Sequence, residues 1–344
     1  MPGIRFDKLA EKFTDALELA GATVLLAGMP DTRPLTLGVV SEGETFRLEV
    51  FLWAVTFGGR KSLPDERRIQ LTNVDRFTLK AGVKTILGGW SDEEGVFAFW
   101  DVRRHLQFSA GSPSLQISVN TLRRAAAVGF APELRDVREG KETAIAVHPD
   151  YLLWYLREYE RLYDCGPEAS EATGLVDAEP EAEREFIDSG RSDVEQSRRH
   201  QVVSVVRHFR EARFRPMVLR AYGFRCALTD VALRLVDAAH VVPVSEPTST
   251  DEPRNGVALN PLLHRAYDAG LLGLLPGGRT AINERLLSGL KRHKLDAGLG
   301  VFRGMVPRTM RMPTSPEFVP PDDYLLRGLR ARGWTDEDLR LASA

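Results

Sequence analysis

Cysteine is scarce. The chain of 344 residues holds only Cys165 and Cys226, far apart in sequence. Two thiols exclude a structural four-cysteine zinc site, and their scarcity fits a reducing cytoplasm, the expected location. No run of about 18 or more apolar residues occurs, so no membrane span is expected. The first residues, Met1-Pro2-Gly3-Ile4-Arg5-Phe6-Asp7, lack a basic-then-apolar leader, so no export signal is expected. An excess of one charge is missing too. The net charge of −2 says nothing for nucleic acid when taken globally, so its distribution has to be read instead. No internal repeat is visible.

What is present is ordinary in bulk and uneven in detail. The chain is 43% hydrophobic and 27% charged, as soluble globular proteins are. Its length exceeds one ordinary domain and suggests two. Residues 6–22 carry apolar side chains at Leu9, Phe13, Ala16, Leu17 and Ala20, which is helical spacing. Strand patterns follow at residues 23–27, 46–53, 54–57, 67–71 and 85–87, with Gly and Pro turns between them. Gly95-Val96-Phe97-Ala98-Phe99-Trp100-Asp101 reads as a buried strand. Residues 114–119 alternate like a half-exposed one, and residues 143–147 read as another. Helices are expected over 120–127 and 151–163. Residues 1–165 thus read as one α+β domain.

A break follows. Residues 166–197 are rich in Asp and Glu, with Gly, Ala, Ser and Pro between them and Phe186 almost alone as an aromatic. That is the composition of an acidic linker, a solvated spacer. The sign of charge then flips. Arg213, Arg215, Arg220 and Arg225 lie among helically spaced apolar residues ahead of Cys226. On a helix they make either a solvated face or a phosphate-contacting surface. The second domain is taken as 198–344.

Residues 224–275 carry the chemistry-bearing pattern. An apolar run, Asp237-Ala238-Ala239-His240-Val241-Val242, reads as a strand with a histidine in it. Asn255-Gly256 reads as a turn, since both residues tolerate positive φ. Val257-Ala258-Leu259 reads as a second strand. Asn260 suits an N-cap and Pro261 a first helical turn. His264 and Asp268, four apart on that helix, share a face and suit joint coordination of a metal. Each part alone is bland: His240 a structural or surface histidine, Asn255-Gly256 a turn, His264 and Asp268 an exposed helix face. In this order they suit phosphodiester hydrolysis. A histidine near neutral pKa can deprotonate water, and a divalent cation can stabilise the leaving oxygen.

This segment, with Cys226-Ala227-Leu228-Thr229 and Phe214–Tyr222 upstream, resembles the HNH endonucleases, and within them the subgroup with an Ala-Ala-His signature and a closing His-x-x-x-Asp. The resemblance covers roughly residues 205–285. It implies a ββα-metal core and an α+β protein overall, in which an N-terminal reader-like domain is joined by the acidic linker to a C-terminal nuclease domain. It assigns His240 as general base, Asn255 as the residue fixing the loop, and His264 and Asp268 as the helix pair at the metal. Many members place an acid immediately before the catalytic histidine. Ala239 stands there in this chain, and Asp237 is the nearby alternative ligand. The implied cofactor is a divalent metal ion, Mg²⁺ or Mn²⁺ first, Ni²⁺ or Zn²⁺ as alternatives, without structural zinc.

The implied substrate is double-stranded DNA, with a homodimer as the arrangement that would cut both strands. Target choice falls to residues 1–165. Arg60 and Lys61 follow two glycines and suit a phosphate backbone, while Arg67 and Gln70 suit base edges. Trp90 and Trp100 would serve either as core or as stacking platforms for an extruded base. By analogy of architecture, this domain would read a modified base in a restriction or defence enzyme. The alternatives are a nuclease reading unmodified sequence, and an inactive DNA-binding protein, which the absent acid at Ala239 motivates.

Overall fold

The strand patterns of the first 150 residues become two sheets. In a computed structural model, residues 4–27, 31–41, 43–60, 62–107, 113–137 and 140–343 are described, and they divide into two units, 1–209 and 210–344. In the first unit, helix α1 (Phe6–Leu19) precedes strands β1 (Thr23–Leu26), β2 (Leu35–Ser41), β3 (Glu44–Ala54), β4 (Thr56–Phe57), β5 (Glu66–Gln70), β6 (Lys84–Ser91), β7 (Val96–Trp100) and β8 (Ser114–Ser118). Helix α2 (Val119–Val128), strands β9 (Phe130–Val137) and β10 (Gly140–Val147), and helix α3 (Leu152–Asp164) follow. A seven-stranded sheet runs β1-β2-β3-β6-β7-β10-β9, and a three-stranded sheet runs β4-β5-β8. Among the described residues, only the β3–β6 pair is parallel.

Strand β7 shows why this unit folds as it does. All five of its residues are buried. Phe97 and Phe99 point to one face, where they meet Phe13 of α1 at 5.6 Å and Tyr155 of α3 at 4.2 Å between ring centroids. Val96, Ala98 and Trp100 point to the other, among Ile69, Leu115, Ile117 and Leu122. A strand covered on both faces reads as an unbroken apolar run.

Residues 166–197 correct an expectation. They form a 3-10 segment (Gly166–Leu175), helix α4 (Pro180–Asp188) and the start of α5 (Asp193–Ala221). Ala169, Ala172, Val176 and Phe186 are buried. The physical reason is charge pairing. Glu183, nearly buried, accepts from Arg207 at 2.6 Å, Glu195 from Arg199 at 3.0 Å, and Arg198 lies 3.8 Å from Glu168. These acidic side chains of the segment are thereby paired with arginines that follow it.

The second unit holds β11 (Asp237–His240), β12 (Gly256–Leu259) and α6 (Pro261–Asp268), then the hairpin β13 (Leu272–Leu275) and β14 (Arg279–Ile282). Helices α7 (Glu284–Arg292), α8 (Leu299–Gly304), α9 (Asp322–Ala331) and α10 (Asp336–Ser343) complete it. One apolar cluster joins these parts, with Val218, Tyr222, Cys226, Leu263, Tyr267 and Leu325 among its buried members. Cys165 and Cys226 are buried and unbridged. Among the described residues, no helix is long and apolar enough to cross a membrane.

Candidate active site

The site is a ββα unit. Strands β11 and β12 pair antiparallel, with His240 opposite Gly256 and Asp237 opposite Leu259. His240 therefore sits at the open end of its strand, mostly but not fully buried. The Phe214 ring stacks on its imidazole, with centroids 3.8 Å apart and planes 9° from parallel. His240 Nε2 lies 3.1 Å from Asp251 Oδ1. A carboxylate only accepts, so the neutral ring in this arrangement carries its proton on Nε2 and has Nδ1 as its basic nitrogen.

Asn255 is fully buried. Its Oδ1 accepts from the Val242 amide at 2.8 Å. Its Nδ2 donates to the Thr250 carbonyl at 2.8 Å and lies within reach of the Val242 carbonyl and Ser249 Oγ. Its carbonyl accepts from the Val241 amide at 2.7 Å. One side chain thus fastens both ends of the loop that follows His240. The expected Asn-Gly turn is absent. Asn255 ends a short 3-10 turn, and Gly256 is extended, with φ −125°. Glycine is needed there for space: a Cβ would overlap a Val218 methyl and crowd the Phe214 ring.

Helix α6 begins as its sequence suggests. Asn260 Oδ1 accepts from the Leu263 amide at 3.0 Å, and Pro261 occupies the first turn. One turn on, His264 lies between two carboxylates: Nε2 is 3.3 Å from Asp268 Oδ2, and Nδ1 is 3.7 Å from Asp237 Oδ2. The polar contact with His264 holds the Asp237 carboxyl below the ordinary range; partial burial opposes this, and the His264 and Arg215 charges add to it. At 3.7 Å that contact is longer than a hydrogen bond.

The two carboxylates face opposite nitrogens of one ring, so they do not converge on a common point. Among the described residues, no group of three or more His, Cys, Asp or Glu side chains is placed to hold a metal ion. The pair His264 Nε2 and Asp268 Oδ2, an imidazole beside a carboxylate, does suit a divalent cation. Its 3.3 Å separation is close to the roughly 3 Å between neighbouring ligands of an octahedral ion with bonds of about 2.1 Å, and such ions commonly take one or two protein ligands plus water and phosphate oxygens.

Ala239 is fully buried in the core cluster, on the strand face opposite His240. An acid there would sit in apolar surroundings. Of the arginines expected at phosphate, Arg215 donates to the Val236 carbonyl at 3.3 Å, and Arg225 pairs with Asp230 at 2.8 Å. Arg220 is exposed, and Arg213 is partly so. In the first unit, Arg67 is mostly buried and donates to the Pro64 carbonyl, so little of it remains to read a base. Arg60 lies 3.4 Å from buried Glu66, and Gln70 is exposed. Lys61 lies outside the described residues. Trp90 and Trp100 are buried and donate to Asp92 and to the Gln116 carbonyl. They are core, and neither offers a face for a base to stack on.

Three residues that shape the site stand outside the His-Asn-His-Asp pattern: Phe214 and Asp251 flank His240, and Arg332 reaches the site from far along the chain.

This geometry is that of a ββα nuclease unit. Residues 226–274 match the family model described as HNH endonuclease, and residues 46–156 match one described as Methylase-associated X1. The chain therefore carries a C-terminal HNH endonuclease domain, a nuclease, behind an N-terminal domain of the methylase-associated family. HNH nucleases generally depend on a divalent metal. A solved structure described as "Modification dependent TagI restriction endonuclease" is 12% identical, covering 83% of this chain and 81% of that one, with a TM-score of 0.27. No curated protein matches the chain.

Proposed function

We propose that the protein is a metal-dependent DNA endonuclease of restriction type, in which His240 is the general base. The observation that carries this is the placement of His240 at the end of β11, stacked on Phe214 and held by Asp251. Nδ1 takes a proton from water, and the resulting hydroxide attacks phosphorus in line with the departing 3′-oxygen. Asp251 fixes the tautomer and steadies the imidazolium that forms. Phe214 fixes the ring plane. Asn255 holds the following loop, so the base does not drift. His264 and Asp268 would hold a divalent cation, Mg²⁺ or Mn²⁺ first with Ni²⁺ or Zn²⁺ as alternatives, which would supply charge neutralisation at the phosphate and at the leaving oxygen. Asp237 lies 3.7 Å from the other ring nitrogen of His264, and its negative charge there favours the ring orientation that turns Nε2 toward the cation. Arg213, Arg215 and Arg220 contact phosphates.

Ala239 is buried on the strand face opposite His240, which weighs against taking the missing acid there as a sign of inactivity. Target choice rests with the N-terminal domain. Its methylase-associated description favours base methylation as the variable that decides cutting, whether methylation licenses cleavage or protects against it.

The test is plasmid cleavage by purified protein with Mg²⁺, Mn²⁺ or Ni²⁺, on unmodified, methylated and hydroxymethylated DNA. Cleavage of one class over another is expected, with loss of at least about 10²-fold in His240→Ala, in line with a lost general base. No cleavage of any substrate, or cleavage equal in His240→Ala, would refute the proposal.

A further inference from the structure

Arg332 follows α9, and its side chain is only 4% exposed. Its Nη2 donates to the His240 carbonyl at 2.8 Å and to Asp268 Oδ1 at 3.0 Å. Its Nη1 donates to the Val241 carbonyl at 2.7 Å and to the Gly328 carbonyl at 3.2 Å. The Tyr267 ring lies 3.8 Å from the guanidinium carbon, and the Tyr267 hydroxyl donates to the same Val241 carbonyl at 3.2 Å. One planar cation therefore ties the strand that carries His240 to the helix end that carries Asp268.

The surroundings are shaped for this contact. A Cβ on Gly328 would overlap the Val241 carbonyl, and one on Gly270 would overlap the Arg332 carbonyl. Exposed Arg–carboxylate pairs contribute little. Here the guanidinium is desolvated, and its fork geometry fixes several acceptors at once, which a lysine cannot do. Asp268 is thereby oriented as well. Arg332 occupies Oδ1, so Oδ2 is the oxygen turned to His264 Nε2.

We infer that Arg332 is a positioning residue of the nuclease site. It sets which Asp268 oxygen is offered beside His264, and it locks the His240–Val241 backbone to α6. This role rests on the reading of the site given above.

The test compares Arg332→Met, Arg332→Lys and Leu329→Ala with wild type. Leu329 is buried beside Leu275 and Trp334, so its truncation loosens α9 without touching the guanidinium. Folding is checked by near-UV circular dichroism, and all measurements are made well below each variant's Tm. Mn²⁺ binding is read by electron paramagnetic resonance, and kcat and KM by plasmid nicking. Arg332→Met is expected to bind Mn²⁺ about tenfold more weakly and to lose roughly 10–100-fold in kcat at unchanged KM, the usual size for a group behind a metal ligand. Arg332→Lys should fall between it and wild type. Leu329→Ala should lower Tm and leave Mn²⁺ binding intact. If Arg332→Met does not fold, Arg332→Lys against Leu329→Ala decides. Wild-type Mn²⁺ affinity and kcat in the Arg332 variants, or an equal loss of Mn²⁺ affinity in Leu329→Ala, would overturn the role. A wild-type protein that neither binds Mn²⁺ nor cuts DNA would instead overturn the nuclease reading, and this role with it.

Discussion

Asn255 engages both side-chain polar atoms in a space closed to water. Removing them leaves the Val242 amide and the Thr250 carbonyl buried without partners. Asn255→Ala is therefore expected to destabilise the nuclease unit by about 2–4 kcal/mol, and urea unfolding of the purified variant measures it. Asn255→Asp should do no better, since it places an oxygen against two carbonyls. The identity of this residue was legible in the sequence, but the way it works was not. Asn255-Gly256 reads as a turn because both residues permit positive φ. The structure uses the asparagine as a buried clamp and the glycine as a gap for Val218 and Phe214. His264 and Asp268 were legible as a pair because helical spacing alone brings them together. Asp251 and Arg332 were not, nor was the stacking of Phe214 on His240, because their nearness to the site depends on how distant segments pack.

Among the elements, α10 shows how an end is fixed. Thr335 and Asp338 cap one another: the Thr335 amide donates to Asp338 Oδ2 at 2.9 Å, and the Asp338 amide to Thr335 Oγ1 at 3.2 Å. Arg285 of α7 adds a pair of bonds to the same carboxylate. Burial pushes the Asp338 carboxyl up, but Arg285 and the Thr335 amide and hydroxyl outweigh it and hold it below the ordinary range. A carboxyl lowered by folding contributes stability above its unfolded pKa of about 3.9, and that stability is lost as pH falls through the lower folded value. Asp338→Asn is expected to cost about 1–3 kcal/mol at pH 7 and to flatten the acid limb of stability against pH in thermal melts. Elsewhere, elements were legible where one period dominated. Strand β7 and helices α1, α2 and α3 fall where their apolar spacing puts them. Strand β9 was missed because Pro132, Glu133, Arg135 and Asp136 interrupt its apolar pattern. It lies at the sheet edge, where a proline and charges are tolerated.

Across the whole molecule, the chain divides into units 1–209 and 210–344, and the acidic segment falls inside the first of them. Acidic composition suggests a spacer only when its charges lack partners, and here Arg198, Arg199 and Arg207 supply them. That pairing has a consequence for how DNA would be gripped. Binding a polyanion is driven largely by the entropy of releasing condensed counterions, one set for each phosphate neutralised. Arginines that already hold glutamates displace none. Replacing Arg198, Arg199 and Arg207 together with Gln should therefore leave the slope of log K against log salt unchanged. Fluorescence anisotropy with a labelled duplex across a salt series reads the slope, and a shallower slope in the triple variant would show that these arginines reach phosphate after all. A charge run that looks like a DNA-binding arm would then be thermodynamically silent toward DNA, its counterions being part of the chain itself.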